Sequence, residues 1–268
     1  MQGIGNDFIV IDDLPSGLNG AFEKLYAAKG TQFIQSLCNR HYGIGCDQLL
    51  WLKPSSCSDA EMVIFNSDGS EAEMCGNGIR AVGIYLSDHG PCPQRKSYEV
   101  DTQAGVKTLH IENPLVTVDM GQPGFVNKDI ELEEIEVLNH KIAFYFVNMG
   151  NPHAVVFLDD FQSLPLDTIA PAMEVHSRFK NKANIEFVKV TGESSLDVRV
   201  WERGAAWTLG CGTGACAASV AAISTQKVTS PAQVTLPGGT LELTWTPGNS
   251  VFMKGSALEV FSGQWPID

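Results

Sequence analysis

The stretch Cys75-Gly76-Asn77-Gly78-Ile79-Arg80-Ala81 decides how the chain is organised, because it returns as Cys211-Gly212-Thr213-Gly214-Ala215-Cys216-Ala217. The echo extends in both directions. Upstream, MVIFNSDG places Asn66 before Cys75 at the spacing by which VRVWERG places Glu202 before Cys211. Further back, Gly5-Asn6-Asp7-Phe8-Ile9-Val10 resembles Gly150-Asn151-Pro152-His153-Ala154-Val155-Val156. Downstream, SYEVDTQAGVKTLHI and AQVTLPGGTLELTW each read as two alternating strands around a glycine turn.

Four matches in the same order, at a period far too long for a solenoid repeat, indicate a duplicated domain. The boundary falls near residues 115–125, around VDMGQPGF. The reading is therefore one domain over 1–119 and a second over 120–256, with the tail 257–268 free to complete the first. Each half reads as strand, strand, glycine-rich turn, helix and further strands. After Cys75 the apolar residues Ile79, Val82 and Leu86 recur at helical spacing and Gly90 stands as a stop, which predicts about three turns. After Cys211 the run GACAASVAAIS is small or apolar nearly all round, as in a helix enclosed by other structure. The expected class is α+β: two pseudo-symmetric domains, each a mainly antiparallel curled sheet around a central helix.

With 18 basic and 31 acidic residues among 268, the formal charge is −13. No basic surplus exists to neutralise phosphates, which argues against a nucleic-acid or anionic-membrane partner. An anionic small-molecule substrate would need local donors, such as an arginine or a helix N-terminus, to reverse the sign at its site. The N-terminus MQGIGNDFIVIDD has neither a basic start nor a long apolar run, so neither a signal peptide nor a membrane span is read, and a cytoplasmic location is expected. The seven cysteines (38, 46, 57, 75, 92, 211 and 216) are odd in number and lack a CxxC pair, which fits a reducing compartment and disfavours a structural zinc site.

C-G-x-G opening a helix puts a thiol at the positive end of the helix dipole, where a cysteine pKa of about 8.5 falls to roughly 3.5–7.5 in known cases. The nearby N–H groups of Gly76, Asn77, Gly212 and Thr213 are suited to hold a carboxylate as charge moves onto it. One such motif reads equally as a buried small hydrophobe beside a tight turn. Two in matched domains point to two thiols on opposite faces of one ligand. Inverting a carbon stereocentre needs that pairing, because a proton leaves one face and another arrives at the opposite one. Other classes stay open on the residues alone: racemisation of a different amino acid, amino-acid binding without catalysis, and acyl transfer by Cys75.

The stretches GNDF at 5–8, RHYGIGCDQLL at 40–50, FNSDGSEAEMCGNGIRAVGIYL at 65–86, GNPHAVVF at 150–157 and ERG followed by CGTGACAA at 202–218 resemble diaminopimelate epimerases over nearly the whole chain. Proline racemases share the doubled fold but read MCGH where this chain has MCGN. The resemblance implies that Cys75 and Cys211 are the acid/base thiols, that His153 and Glu202 tune or orient them, and that Asn6, Gln48, Asn66, Asn151, Asn184 and Arg203 contact substrate. It also implies that the backbones of Gly76, Asn77, Gly212 and Thr213 grip the reacting carboxylate. Arg203 would answer the distal carboxylate, and Asn66 with Glu202 the distal ammonium. A homodimer acting on an amino acid is implied, with no cofactor and no metal, converting LL-diaminopimelate to the meso form for lysine and peptidoglycan synthesis.

On the residues alone, Asn6, Asn66 and Asn151 read equally as turn residues. His153 reads as a strand cap and Glu202–Arg203 as a surface ion pair. His41, His89, His110, His140 and His176 read as structural or exposed. The chain departs from the family pattern ERGxGETxACGTG: Trp207 replaces a charged residue and Ala206 a glycine. A differently shaped loop before Cys211, with consequences for specificity at the distal end, is therefore expected. Because the chain begins almost at GNDF, a frayed edge is expected at the first sheet.

Overall fold

The computed structural model describes residues 1–127 and 129–266. It divides into two units, Met1–Val118 with Gly255–Asp268, and Asp119–Lys254. In the first unit, β1 (Gln2–Gly3) and β2 (Asn6–Asp12) precede two short helices, α1 (Ala21–Lys29) and α2 (Thr31–Cys38). Then come β3 (Gln48–Lys53), β4 (Ala60–Asn66), β5 (Glu71–Ala72), α3 (Gly76–His89), β6 (Ser97–Asp101), β7 (Lys107–Glu112) and β8 (Leu115–Asp119). The second unit runs β9 (Leu132–Val137), β10 (His140–Asn148), β11 (Pro152–Phe157), α4 (Leu166–Glu174), β12 (Asn184–Gly192), β13 (Ser195–Glu202) and β14 (Ala206–Thr208). It continues through α5 (Gly212–Ser224), β15 (Ala232–Leu236), β16 (Gly239–Thr244) and β17 (Phe252–Ser256).

The duplication is visible in the strand pairing. β2–β3 is parallel, β3–β4 antiparallel, β4–β6 parallel, and β6–β7 and β7–β8 antiparallel. In the second unit β11–β12 is parallel, β12–β13 antiparallel, β13–β15 parallel, and β15–β16 and β16–β17 antiparallel. Both sheets are thus largely antiparallel, with a parallel step on either side of each central hairpin. Each parallel step needs a crossover, and the crossovers carry the helices.

The central strands β3, β11 and β12 are covered on both faces and so are buried in nearly continuous runs. In β3 and β4, Leu49, Trp51 and Phe65 pack on Phe22, Phe33, Ile34 and Leu37 of α1 and α2. In β11 and β12, Ala154, Val156, Ile185 and Phe187 pack on Ile169, Ala170 and Met173 of α4. The alternate residues face α3 or α5. α5 touches β10, β11, β12, β13, β15 and β16, and its small side chains let the sheet close around it. Val220 within it is wholly buried, and burying a side chain of that size contributes about 1.5–3 kcal/mol.

α3 is a 14-residue helix, one turn longer than the apolar spacing predicts, and it ends where Gly90 N–H bonds to Leu86 O. The N-terminal edge is not frayed: Gln2 and Leu258 exchange backbone hydrogen bonds at 2.9 Å, and the Met1 amino group donates to Phe8 O at 2.8 Å. Residues of the tail therefore close the first unit, and Arg80 of α3 bonds to Ser256 O as well. Among the described residues no helix is long and apolar enough to cross a membrane.

Candidate active site

Both recurring cysteines cap their helices. Cys75 is extended (φ −135°, ψ 110°) and its sulfur accepts from Gly78 N at 3.3 Å; Cys211 (φ −116°, ψ 113°) accepts from Gly214 N at 3.4 Å. A side-chain acceptor at this position satisfies one of the free amides of the first turn, the role usually taken by serine or aspartate. Space is tight at Gly78 and tighter at Gly214. A Cβ on Gly78 would meet Leu50 at 3.0 Å, and one on Gly214 would meet Glu186 Oε1 at 2.9 Å.

In the first unit Cys75 donates to Asn6 Oδ1 at 3.8 Å. Asn6 is held by Asp47, whose Oδ2 accepts from its amide at 2.8 Å. Arg40 bonds to Asp47 at 2.7 Å and forks onto both oxygens of Asp7 at 2.8 Å, which holds the Asp7 carboxyl below its ordinary range. Gln48 and Asn66 lie opposite each other on β3 and β4, joined by a 2.9 Å amide bond. Asn66 goes on to Ser70 Oγ at 3.1 Å, and Gln48 Oε1 is buried with no partner. Asn77 is buried and accepts from Arg80, which also bonds to Gly76 O, so Arg80 stiffens the first turn of α3.

In the second unit Cys211 lies 3.5 Å from Thr213 Oγ1, which Asn151 Nδ2 reaches at 3.4 Å. Asn151 Oδ1 is 2.9 Å from His153 Nε2, and His153 Nδ1 is 2.7 Å from Glu186 Oε1. His153 and Glu186 are wholly buried. Asn184 spends both ends of its amide on backbone, donating to Pro152 O at 3.0 Å and accepting from Arg203 N at 2.9 Å. It thereby ties the start of β11 to the end of β13. Glu202 Oε1 accepts from Thr208 at 2.6 Å, and the exposed Arg203 donates to Asn181 O at 3.2 Å. The two side chains thus reach different partners.

One expectation needs correction. Both thiols are expected to be acidified by their helices, but burial, followed by the negative charge of Glu202, pushes the Cys211 thiol well above its usual range. The Thr213 hydroxyl and Gly214 amide pull the other way without overcoming this. Desolvation outweighs the helix end because the sulfur is nearly inaccessible to water. Trp207, a departure from the family pattern, pairs with Trp201 across β13–β14 at 5.4 Å between ring centroids, and its Nε1 donates to Asp167 at 2.8 Å. That is the α4 face of the sheet. Glu202 is on the other, so Trp207 packs away from it, while Ala206 takes the positive φ of 61° that a glycine would occupy more readily.

Asp47, Arg40 and Glu186 were not singled out in the sequence. Arg40 and Asp47 lie inside RHYGIGCDQLL, where their pairing depends on β2 and β3 coming side by side. Glu186 interrupts the apolar run NIEFV, the only local sign of it. Among the described residues no group of three or more His, Cys, Asp or Glu is arranged to hold a metal ion.

The diaminopimelate epimerase family model matches residues 1–126 and 145–260. A diaminopimelate epimerase of Carboxydothermus hydrogenoformans is 42% identical over 99% of this chain and 97% of its own, and one of Methanococcus maripaludis is 39% identical over 100% and 98%. Among solved structures, a Bacillus anthracis phenazine biosynthesis protein of the PhzF family superposes with a TM-score of 0.66 at 15% identity, covering 96% of this chain and 92% of its own. A hydroxyproline epimerase of Agrobacterium vitis gives 0.65 at 16% identity, covering 95% and 87%. These distant structures share the fold, whereas the sequence relatives match from end to end. On that full-length match, the chain belongs to the diaminopimelate epimerase family.

Proposed function

We propose that the chain is an isomerase that epimerises LL-2,6-diaminopimelate to the meso form, with Cys75 and Cys211 exchanging the roles of acid and base. The observation that carries this reading is the repetition of one device. Each thiol caps a helix at the same place in two units of matching topology, and the full-length relatives carry that activity in their names. One thiolate removes the α-proton while the opposite thiol delivers another, and the roles reverse for the reverse reaction. The first amides of α3 and α5, at Gly76, Asn77, Gly212 and Thr213, stand at the positive ends of their helices and would hold the carboxylate as negative charge develops on it.

Asn6 orients Cys75, and Asn151 orients Thr213 beside Cys211. Gln48, with its buried unpartnered Oε1, offers an acceptor to the substrate ammonium. Asn66 and Glu202 would take the distal ammonium and Arg203 the distal carboxylate, so an acidic protein binds a dicarboxylate through local donors. Asn184 acts through the backbone it ties together. The reaction needs neither pyridoxal phosphate nor metal, and the enzyme is expected to work as a cytoplasmic homodimer feeding lysine and peptidoglycan synthesis.

Reaction in heavy water tests the two-thiol scheme. Early in the reaction, from either isomer, deuterium should accumulate in the newly formed isomer and scarcely in the recovered starting one, because product receives its hydrogen from a thiol already exchanged with solvent. Equal early labelling of both isomers would refute the scheme. A parallel screen of diaminopimelate isomers against proline, hydroxyproline and histidine tests the substrate.

A further inference from the structure

Cys211 has a setting that Cys75 lacks. Phe8 and Leu50 face α3 from β2 and β3, and the corresponding register positions on β11 and β12 hold His153 and Glu186. Where Gly78 abuts Leu50, Gly214 abuts Glu186 Oε1, and its vacant Cβ position is also 3.3 Å from Cys211 Sγ. An apolar pair under one helix has thus become an ionisable pair under the other.

The geometry restricts where the protons lie. Asn151 Oδ1 accepts from His153 Nε2, so Nε2 carries a hydrogen. At 2.7 Å, the bond from Nδ1 to Glu186 Oε1 must also contain a proton, and in either arrangement the pair is neutral overall. Glu186 Oε2 is buried without a partner, which a carboxylic acid's carbonyl oxygen tolerates far better than a carboxylate oxygen. Burial likewise raises the Glu186 carboxyl above its ordinary value. The proton therefore belongs to Glu186, which donates to Nδ1.

From there every donor points one way. Glu186 donates to His153, His153 to Asn151 at 2.9 Å, Asn151 to Thr213 at 3.4 Å, and the Thr213 hydroxyl, 3.5 Å from the sulfur, is left to donate to Cys211 beside the Gly214 amide. In the first unit the polarity is opposite, since Asn6 gives its amide hydrogens to Asp47 and turns its oxygen toward Cys75. We propose that Glu186 is a positioning residue whose retained proton aligns a one-way chain of hydrogen-bond donors on the sulfur of Cys211, making its thiolate attainable in a dry site. This rests on reading Cys211 as a thiol that transfers protons.

The test is the alkylation rate of Cys211 by iodoacetamide near neutral pH, located by peptide mass, with Cys75 of the same molecule as the internal reference. Three proteins are compared with the wild type: Glu186→Gln, Glu186→Leu, and the double variant His153→Phe with Glu186→Leu, which restores the packed apolar pair of the first unit. Glu186→Leu should slow Cys211 about ten-fold or more, the worth of a hydrogen bond to a charged group, and leave Cys75 unchanged. The double variant should be as slow, with an unchanged melting temperature. Glu186→Gln, whose amide still donates to Nδ1, should keep most of the rate. Unchanged or faster alkylation in Glu186→Leu or in the double variant, equal slowing of Cys75, or a Gln variant as slow as Leu would overturn the proposal. The readout involves no turnover, so a failure of the epimerase reading shows in the isotope experiment and not here.

Discussion

Cys75 and Cys211 hold corresponding places in the two units, yet their surroundings make them different residues. Cys75 touches an amide oxygen near a solvent-exposed network of Asp7, Arg40 and Asp47, whereas Cys211 is sealed against Glu186 and Thr213. Under the proposed two-thiol scheme, each direction of reaction nonetheless needs one acid and one base. Replacing either by alanine should therefore abolish turnover in both directions, with a loss of at least ~10²–10⁴-fold in kcat from each isomer. A variant active in one direction only would contradict this. Gly214 offers a second test at this scale. Gly214→Ala drives a methyl into Glu186 Oε1 and should cost about 1–3 kcal/mol in denaturant unfolding. The thiols, His153 and Glu202 were legible because they recur or sit in recognisable motifs. Glu186 was not, because a lone glutamate in an apolar strand acquires meaning only when β11 brings His153 beside it.

The elements that surround the thiols were read correctly where one face of the pattern decided them. The apolar spacing of Ile79, Val82 and Leu86 marks α3, and the glycine turns at 97–111 and 232–244 mark the hairpins β6–β7 and β15–β16. The outer helices α1, α2 and α4 were missed, since each is short and its start lacks a local capping side chain. α1 shows how tertiary structure substitutes. Its N-cap Gly20 has no side chain, and the buried Asp13 accepts from Phe22 N at 3.2 Å, Glu23 N at 3.0 Å and Trp51 Nε1 at 3.2 Å. Asp13→Ala strands these three donors and should destabilise the protein by at least about 2 kcal/mol, measured by urea unfolding, although Asp13 is far from either cysteine in sequence. The family pattern marks Trp207 as a departure in the loop before Cys211. Strand alternation turns it onto Trp201, so a tryptophan can stand there without reaching the face that carries Glu202.

For the molecule as a whole, stability should depend on pH with a sign that Glu186 helps set. The unfolded chain gives up this proton near about pH 4.3, while burial keeps it bound to higher pH in the folded chain. Above the unfolded value the folded state holds the extra proton, so stability is full below it and declines as pH rises through the folded value. The net charge of −13 adds self-repulsion with the same trend, but salt screens that part and does not reach a buried group. In about 1 M salt, where the Debye length is about 3 Å, wild type should lose unfolding free energy with rising pH and Glu186→Gln should lose less; parallel curves would argue against the assignment. The route of the chain has a different consequence, in time. The second unit is one continuous segment, Asp119–Lys254, whereas the first draws on residues from both sides of it. A ribosome delivers β1, β2 and α3 early, but Leu258, which pairs with Gln2, and Ser256, which receives Arg80, emerge only after the whole second unit has been made. The half that is synthesised first is therefore the last to be finished, and the unit that holds Cys75 is complete only after the unit that holds Cys211.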